Sequence, residues 1–458
     1  MPADTPRSGI AVLTNASTKG LSVEQQLAVL YPALESGDRA ASERFTDLVM
    51  ALDDVYWSDV LVQLASPEVL FELAMTTESQ LRRQKWLRLS ADKGHAPSQF
   101  EYATFVTRSR DKEAWLLAAA KQEYLAAVIA LAKFYLQRQE FDKVLEWLPL
   151  AAQQDASSAR KLAILYWQLE KPELAQEFFS LAAEMADQQA ADYLYVLDNF
   201  QPLGLDQLWQ QAATQVCTQQ VQFVATSLSS MVQALAFKKK FEDDKRLQSL
   251  DICISQAVWL QANTLDCSAN FKQQGRLGCD LTDMSKRRDR PNFTHLVIFD
   301  RHGKANVNNG VMYLDQMDPY SVFVHELAHF AGFVDEYALP IALAEHHCYA
   351  MQAPNLIHLR GIRYQPYERK LQWQQLAPES GLDIAPSATC DNTDIKSYKP
   401  SSRMTFLQYH DVEYIPSLYI ALWQAQIQHL AANNAFAQSL AIQAMQNRDD
   451  ESLLFWQP

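Results

Sequence analysis

The spacing of apolar side chains changes part-way along the chain. From about residue 20 to 200 they return every three to four positions, Gly is almost absent, and Ala, Leu, Gln and Glu predominate. That is the pattern of helix after helix, each burying one stripe. The pattern breaks at "DNFQPLGLDQ" (198–207), where Pro202 and Gly204 read as a linker. Beyond it, "VQFVATSL" (221–228), "ICISQAVWL" (252–260), "THLVIF" (294–299) and "GVMYLD" (310–315) are short β-rich runs bounded by turn residues. A helix is predicted over 229–250, between the first two. The expected organisation is an all-α half over residues 1–200 and an α+β half over 208–458.

The helical half is self-similar. "KWLRLSADKGHAPSQFEYATF", "AWLLAAAKQEYLAAVIALAKFY", "EWLPLAAQQDASSARKLAILYW" and "EFFSLAAEMADQQAADYLYVL" place Trp86, Trp115, Trp147 and Phe178 at intervals of 29, 32 and 31 residues. Each is followed five residues later by an alanine: Ala91, Ala120, Ala152 and Ala183. A large ring on one helix and a small residue where the next helix crosses is what stacked helical pairs require. Over 80–197 the chain resembles tetratricopeptide repeats of the short, Sel-like kind, most clearly in "SADKGHAPSQFEYA". Within that resemblance His95 is a packing residue of the repeat, and the array offers a surface for a protein partner or braces the second half.

Composition narrows the rest. The chain has 458 residues, 48% hydrophobic and 21% charged, with a formal charge of −14. That balance supplies two cores and argues against a nucleic-acid or anionic-membrane binder, which needs a basic surface. The basic run Lys238-Lys239-Lys240 is answered by Glu242-Asp243-Asp244 and reads as a solvated helix face. No window is apolar enough for a membrane span, and the N-terminal stretch, with only the short run 10–13, reads as carrying no signal peptide. On that reading the protein is cytoplasmic. The six cysteines, Cys217, Cys253, Cys267, Cys279, Cys348 and Cys390, leave another open: three disulfides would place it in the periplasm or outside the cell, with a misassigned start. No CxxC pair occurs, which disfavours cysteine-ligated zinc.

The chemistry concentrates in "FVHELAHFAGFVDEY" (323–337). On a helix, His325 and His329 are stacked one turn apart and can grip one metal ion, while Glu326 sits beside it as a base for a bound water. Two imidazoles and a carboxylate on an otherwise apolar helix cost about 2 kcal/mol or more each if unpartnered, so a metal or partners must compensate. Gly332 permits a left-handed exit that turns the chain back, and Asp335 follows three residues later, giving HExxHxxGxxD. In the metzincin peptidases the residue at that place completes the site, so the spacing predicts Asp335 as third ligand with a fourth position open for water. One catalytic Zn2+ is the expected cofactor.

"HELAHFAGFVDEY", then "LQWQQL" (371–376), then "YKPSSRM" (398–404) resemble successive landmarks of the zinc metallopeptidases related to bacterial IgA-cleaving proteases. The resemblance covers about 290–410 and implies a metzincin-like zincin domain. It implies that His325, His329 and Asp335 bind zinc, that Glu326 is the general base, and that Met404 forms a methionine turn beneath the metal. Thr405 stands where the family often has a basic residue, so substrate specificity does not carry over. Met351 is a rival for the turn. Glu336, Tyr337 and Tyr409, with His410, are candidates for orienting a ligand or stabilising an oxyanion. In a rival layout Glu345, beside His346 and His347, replaces Asp335. The remaining histidines His295, His302, His358 and His429 are expected in structural or surface roles. The expected activity is peptide-bond hydrolysis on a peptide or protein substrate. The alternative is a non-catalytic helical-repeat interaction protein with a metallopeptidase-like binding domain.

Overall fold

The computed structural model describes residues 20–35, 39–52, 54–210, 217–360, 363–364, 366–376, 382–430 and 434–457. The apolar run 10–13 lies outside them. Two compact units divide between Ala191 and Asp192, ahead of the break at Pro202 and Gly204. No helix among the described residues is long and apolar enough to cross a membrane.

The first unit is built from helical hairpins. In the self-similar block the pairs are Gln80–Asp92 with Ala96–Ala103, Ser109–Ala120 with Leu125–Gln137, Phe141–Ala152 with Ala156–Gln168, and Pro172–Glu184 leading into Gln188–Asn199. Trp86, Trp147 and Phe178 are buried, as are Ala91, Ala120 and Ala152. In the last copy the buried small residue is Ala182 rather than Ala183. His95 is a packing residue: its Nδ1 lies 2.9 Å from the hydroxyl of Ser98 and its ring meets Phe71 at 5.2 Å. A left-handed residue ends these helices at Gly94, Glu123, Gln139, Glu170 and Ala186, and only the first is the residue type that takes that conformation without strain.

In the second unit a five-strand path runs Ile252–Ile254, Gln219–Ala225, His295–Asp300, Val311–Asp315, Asn306–Asn308, with Val258–Trp259 also paired to Gln219–Ala225. All of these pairings are parallel except that of Asn306–Asn308 with Val311–Asp315. The expected strand 252–260 is thus two short strands, and 310–315 is interior. The edge beside it is the antiparallel Asn306–Asn308, which carries no alternating apolar signal. Helix Leu228–Asp243 lies against the sheet, and Phe223, Phe237, Phe299 and Phe323 form a ring cluster with centroids 5.0–5.9 Å apart. Each such ring contributes about 1.5–3 kcal/mol by burial. Phe323 belongs to the helix Tyr320–His329, so this cluster anchors the motif helix on the sheet. A smaller four-stranded sheet, including Ile357–Arg360, Ala385–Ser387 and Lys396–Lys399, follows.

All six cysteines are paired, as Cys217–Cys253, Cys267–Cys279 and Cys348–Cys390. The three disulfides that the even cysteine count left open are thus formed.

Candidate metal centre

The motif helix begins after Pro319, whose extended backbone cannot continue a helix N-terminally, and ends where Gly332 takes φ +78°. That left-handed residue returns the chain so that Asp335 meets both histidines. Nε2 of His325 lies 2.8 Å from Oδ1 of Asp335, and Nε2 of His329 lies 3.3 Å from the same oxygen. Oε2 of Glu326 is 4.0 Å from Nε2 of His329. The two imidazoles are 5.0 Å apart and nearly perpendicular.

Which nitrogens face the cluster follows from their other edges. Nδ1 of His325 is 2.8 Å from the carbonyl of Phe406, and Nδ1 of His329 is 2.8 Å from the carbonyl of Phe333. A carbonyl accepts only, so each Nδ1 is the protonated donor and each Nε2 presents a lone pair inward. Two lone pairs and a carboxylate oxygen therefore converge, and among the described residues Oδ1 of Asp335 accepts no well-directed hydrogen bond although it is buried. The short His325 distance is proximity without hydrogen-bond alignment. Such a point must hold positive charge. A proton on His329 is one solution: burial opposes it, but the Asp335 carboxylate outweighs burial and raises the His329 pKa. Reciprocally, burial pushes the Asp335 carboxyl up while the imidazoles of His329 and His325 hold it well below its usual range. A divalent cation is the other, and ligand atoms about 3.3 Å apart are what a zinc with bonds of about 2.0–2.2 Å requires. The residues present fit that ion. Backbone carbonyls accepting from the far edge of each imidazole are also what metal-binding histidines have.

Tyr337 follows at once on the same loop. Its hydroxyl pKa is raised by burial and then by the carboxylates of Asp335 and Glu326, with Arg276 opposing, while the residue keeps 39% of its surface exposed. It is thus a neutral donor standing between the cluster and solvent.

Glu336 does not reach the cluster of His325, His329 and Asp335. Its side chain is sealed from solvent, and its carboxylate accepts from Tyr419 Oη (2.5 Å), Asn355 Nδ2 (3.1 Å) and Thr405 Oγ1 (2.6 Å), with Lys399 Nζ at 3.3 Å. Its amide donates to the carbonyl of Leu407, and Thr389 Oγ1 donates to the carbonyl of Asp335. The expectation that Glu336 orients a histidine or Tyr337 is corrected: it fastens the ligand loop to the segment 399–407. Asn355, Lys399 and Tyr419 were not singled out in the sequence, and Thr405 only as a departure from the family pattern; their scattered positions left no spacing to read.

Other expectations shift as well. Met404 is 49% exposed and forms no buried floor; its neighbours Thr405 and Phe406 turn inward instead, giving Glu336 a hydroxyl and His325 a carbonyl. Met351 caps the helix Ile341–Ala350 in a left-handed conformation. Tyr409 is 57% exposed and Nδ1 of His410 pairs with Asp411 at 2.9 Å, so Tyr337 is the tyrosine at the cluster. Glu345 is exposed, whereas the charges of His329 and Asp335 reach His347 on the same helix. His295 is buried, its Nδ1 2.8 Å from Thr294 Oγ1 and its ring 4.4 Å from Phe330, a structural role.

No protein-family model matches the chain, and no curated protein matches it. Solved structures do. A Sel1 repeat protein from Oxalobacter formigenes is similar at 17% identity and a TM-score of 0.33, over 41% of this chain and 64% of that one. A protective antigen of uropathogenic Escherichia coli strains displaying an SLR fold is similar at 17% identity and a TM-score of 0.29, over 40% of this chain and 46% of that one. The chain thus spans less than two thirds of either protein's length.

Proposed function

We propose that the second unit is a metzincin-like zinc peptidase and that the helical repeats serve protein interaction, with a substrate or a partner. The observation that carries the first part is the convergence of His325 Nε2, His329 Nε2 and Asp335 Oδ1 on one point, with the carboxylate of Glu326 alongside. His325, His329 and Asp335 would hold the ion, the two imidazoles oriented by the carbonyls of Phe406 and Phe333. When bound, Zn2+ would supply Lewis acidity and lower the pKa of water towards neutrality. Glu326, with its carboxylate 4.0 Å from Nε2 of His329, would serve as the base for the attacking water and pass that proton to the leaving amine. Tyr337, neutral and half-open to solvent, donates a hydrogen bond to the oxygen of the attacked carbonyl as charge develops there.

The test is Glu326→Gln. It keeps the shape and the metal ligands but removes the base, so zinc content should stay at one per chain while cleavage of a mixed peptide library falls by about 10^2 or more. Equal cleavage by the variant contradicts the proposal.

A second reading is a non-catalytic repeat protein whose metallopeptidase-like unit only binds. The self-similar helical hairpins over residues 80–197 fit it. Zinc uptake with no cleavage by the parent protein, and capture of a partner through the repeats, would decide for it.

A further inference from the structure

A second group of metal-binding side chains lies apart from the first and uses residues given no such role above. Cys348 on the helix Ile341–Ala350, His358 on the strand Ile357–Arg360 and Cys390 on the turn Ala388–Cys390 bring two sulfurs and an imidazole nitrogen within 4.8 Å of one another. All three are at most 1% exposed. Neither ring nitrogen of His358 has a hydrogen-bond partner among the described residues. Two buried polar atoms left unpaired are unfavourable, and the imidazole lies against the sulfurs. Burial first, and then the charge of Arg369 and the nearby His347, keep that imidazole neutral, which is the ligating form.

We propose that Cys348, His358 and Cys390 form a redox-gated metal site: joined as a disulfide the sulfurs bind nothing, and reduced they take a thiophilic divalent cation such as Zn2+ together with His358. The gate balances with a dithiol as reductant. Its two sulfurs become a disulfide, the Cys348–Cys390 bond takes up two electrons and two protons, and metal binding releases those protons as both sulfurs ligate as thiolates. Tetrahedral zinc holds two thiolates about 3.8 Å apart, a separation open to the sulfurs once the bond between them is reduced. Three protein donors leave one position to solvent or an added ligand. The site stands independently of the peptidase reading. It does touch the first centre's support, because Thr389, next to Cys390, donates to the carbonyl of Asp335 at 2.7 Å.

Co2+ separates the two centres, since only a thiolate site gives sulfur-to-cobalt charge transfer in the near ultraviolet. The full-length protein, reduced with a dithiol and desalted without oxygen, should develop that absorption with Co2+, whereas the oxidised protein should not. His358→Ala should weaken Co2+ binding at this site by at least tenfold. The pairwise variants Cys217→Ser/Cys253→Ser and Cys267→Ser/Cys279→Ser should each retain it. No thiolate band in the reduced protein overturns the site, as does a band of unchanged affinity in His358→Ala. A band lost in either serine pair, with circular dichroism unchanged, assigns it to other thiols and equally overturns it.

Discussion

Nζ of Lys399 lies 3.3 Å from Oε2 of Glu336, and both side chains are sealed from water. This ion pair joins the loop that presents Asp335 to the segment that presents the carbonyl of Phe406 to His325. Removing one partner leaves the other charge buried, at a cost of about 3–5 kcal/mol. Glu336→Gln should therefore lower the denaturation midpoint sharply and weaken zinc binding. Glu336→Gln combined with Lys399→Met should cost less than the sum of the two single changes. Denaturant titration of all four proteins checks it, and additive costs would mean that the pair is not coupled.

Asp335→Ala removes the carboxylate shared by the two imidazoles. Zinc stoichiometry by mass spectrometry of the native protein should drop from one towards zero, since two imidazoles alone leave the ion half-coordinated. Unchanged stoichiometry would move the third ligand elsewhere, and His347 is the neighbour within reach of those charges.

How much of this the sequence exposed depends on the range over which each feature is encoded. His325, Glu326, His329, Gly332 and Asp335 lie within eleven residues, so helix pitch and one left-handed residue place them almost without reference to the rest of the chain. The interior strands were legible because they are continuous apolar runs, the pattern of a sheet covered on both faces. The strand Asn306–Asn308 was not, since at an edge it is short and polar. Glu336 meets residues 19 to 83 positions away, and no local periodicity records such a meeting. Met404 misled for a related reason. The Pro-Ser-Ser run marks a turn, but which side chain of the turn points inward is decided by Glu336, which takes Thr405.

Burial holds the His295 pKa down to about 3. The unfolded chain binds that proton near pH 6.5 while the folded chain does not, so stability is lost as pH falls below about 6.5, by up to about 1.4 kcal/mol per pH unit until about pH 3. His358, held down to about 4 by burial and by Arg369 and His347, acts with the same sign. Urea denaturation at stepped pH should show a shallower acid slope in His295→Gln than in the parent. Parallel slopes would show that His295 gains its proton in the folded state.

The repeat turns give a prediction of opposite sign. Glu123 and Ala186 hold φ of 60° and 65°, where a Cβ costs about 1–2 kcal/mol relative to glycine. Glu123→Gly and Ala186→Gly should each stabilise the helical half, by about 0.5–1 kcal/mol after the added freedom of the unfolded chain is subtracted. A fall in thermal midpoint in both would contradict the left-handed turns.

Anomalous diffraction at the zinc edge, from crystals of the zinc-loaded full-length protein, tests the shared ion directly. One peak is expected at about 2.0–2.2 Å from Nε2 of His325, Nε2 of His329 and Oδ1 of Asp335, with Glu326 outside bonding distance. Zinc bound elsewhere, with His325 and Asp335 left in direct contact, would contradict the centre and the activity drawn from it.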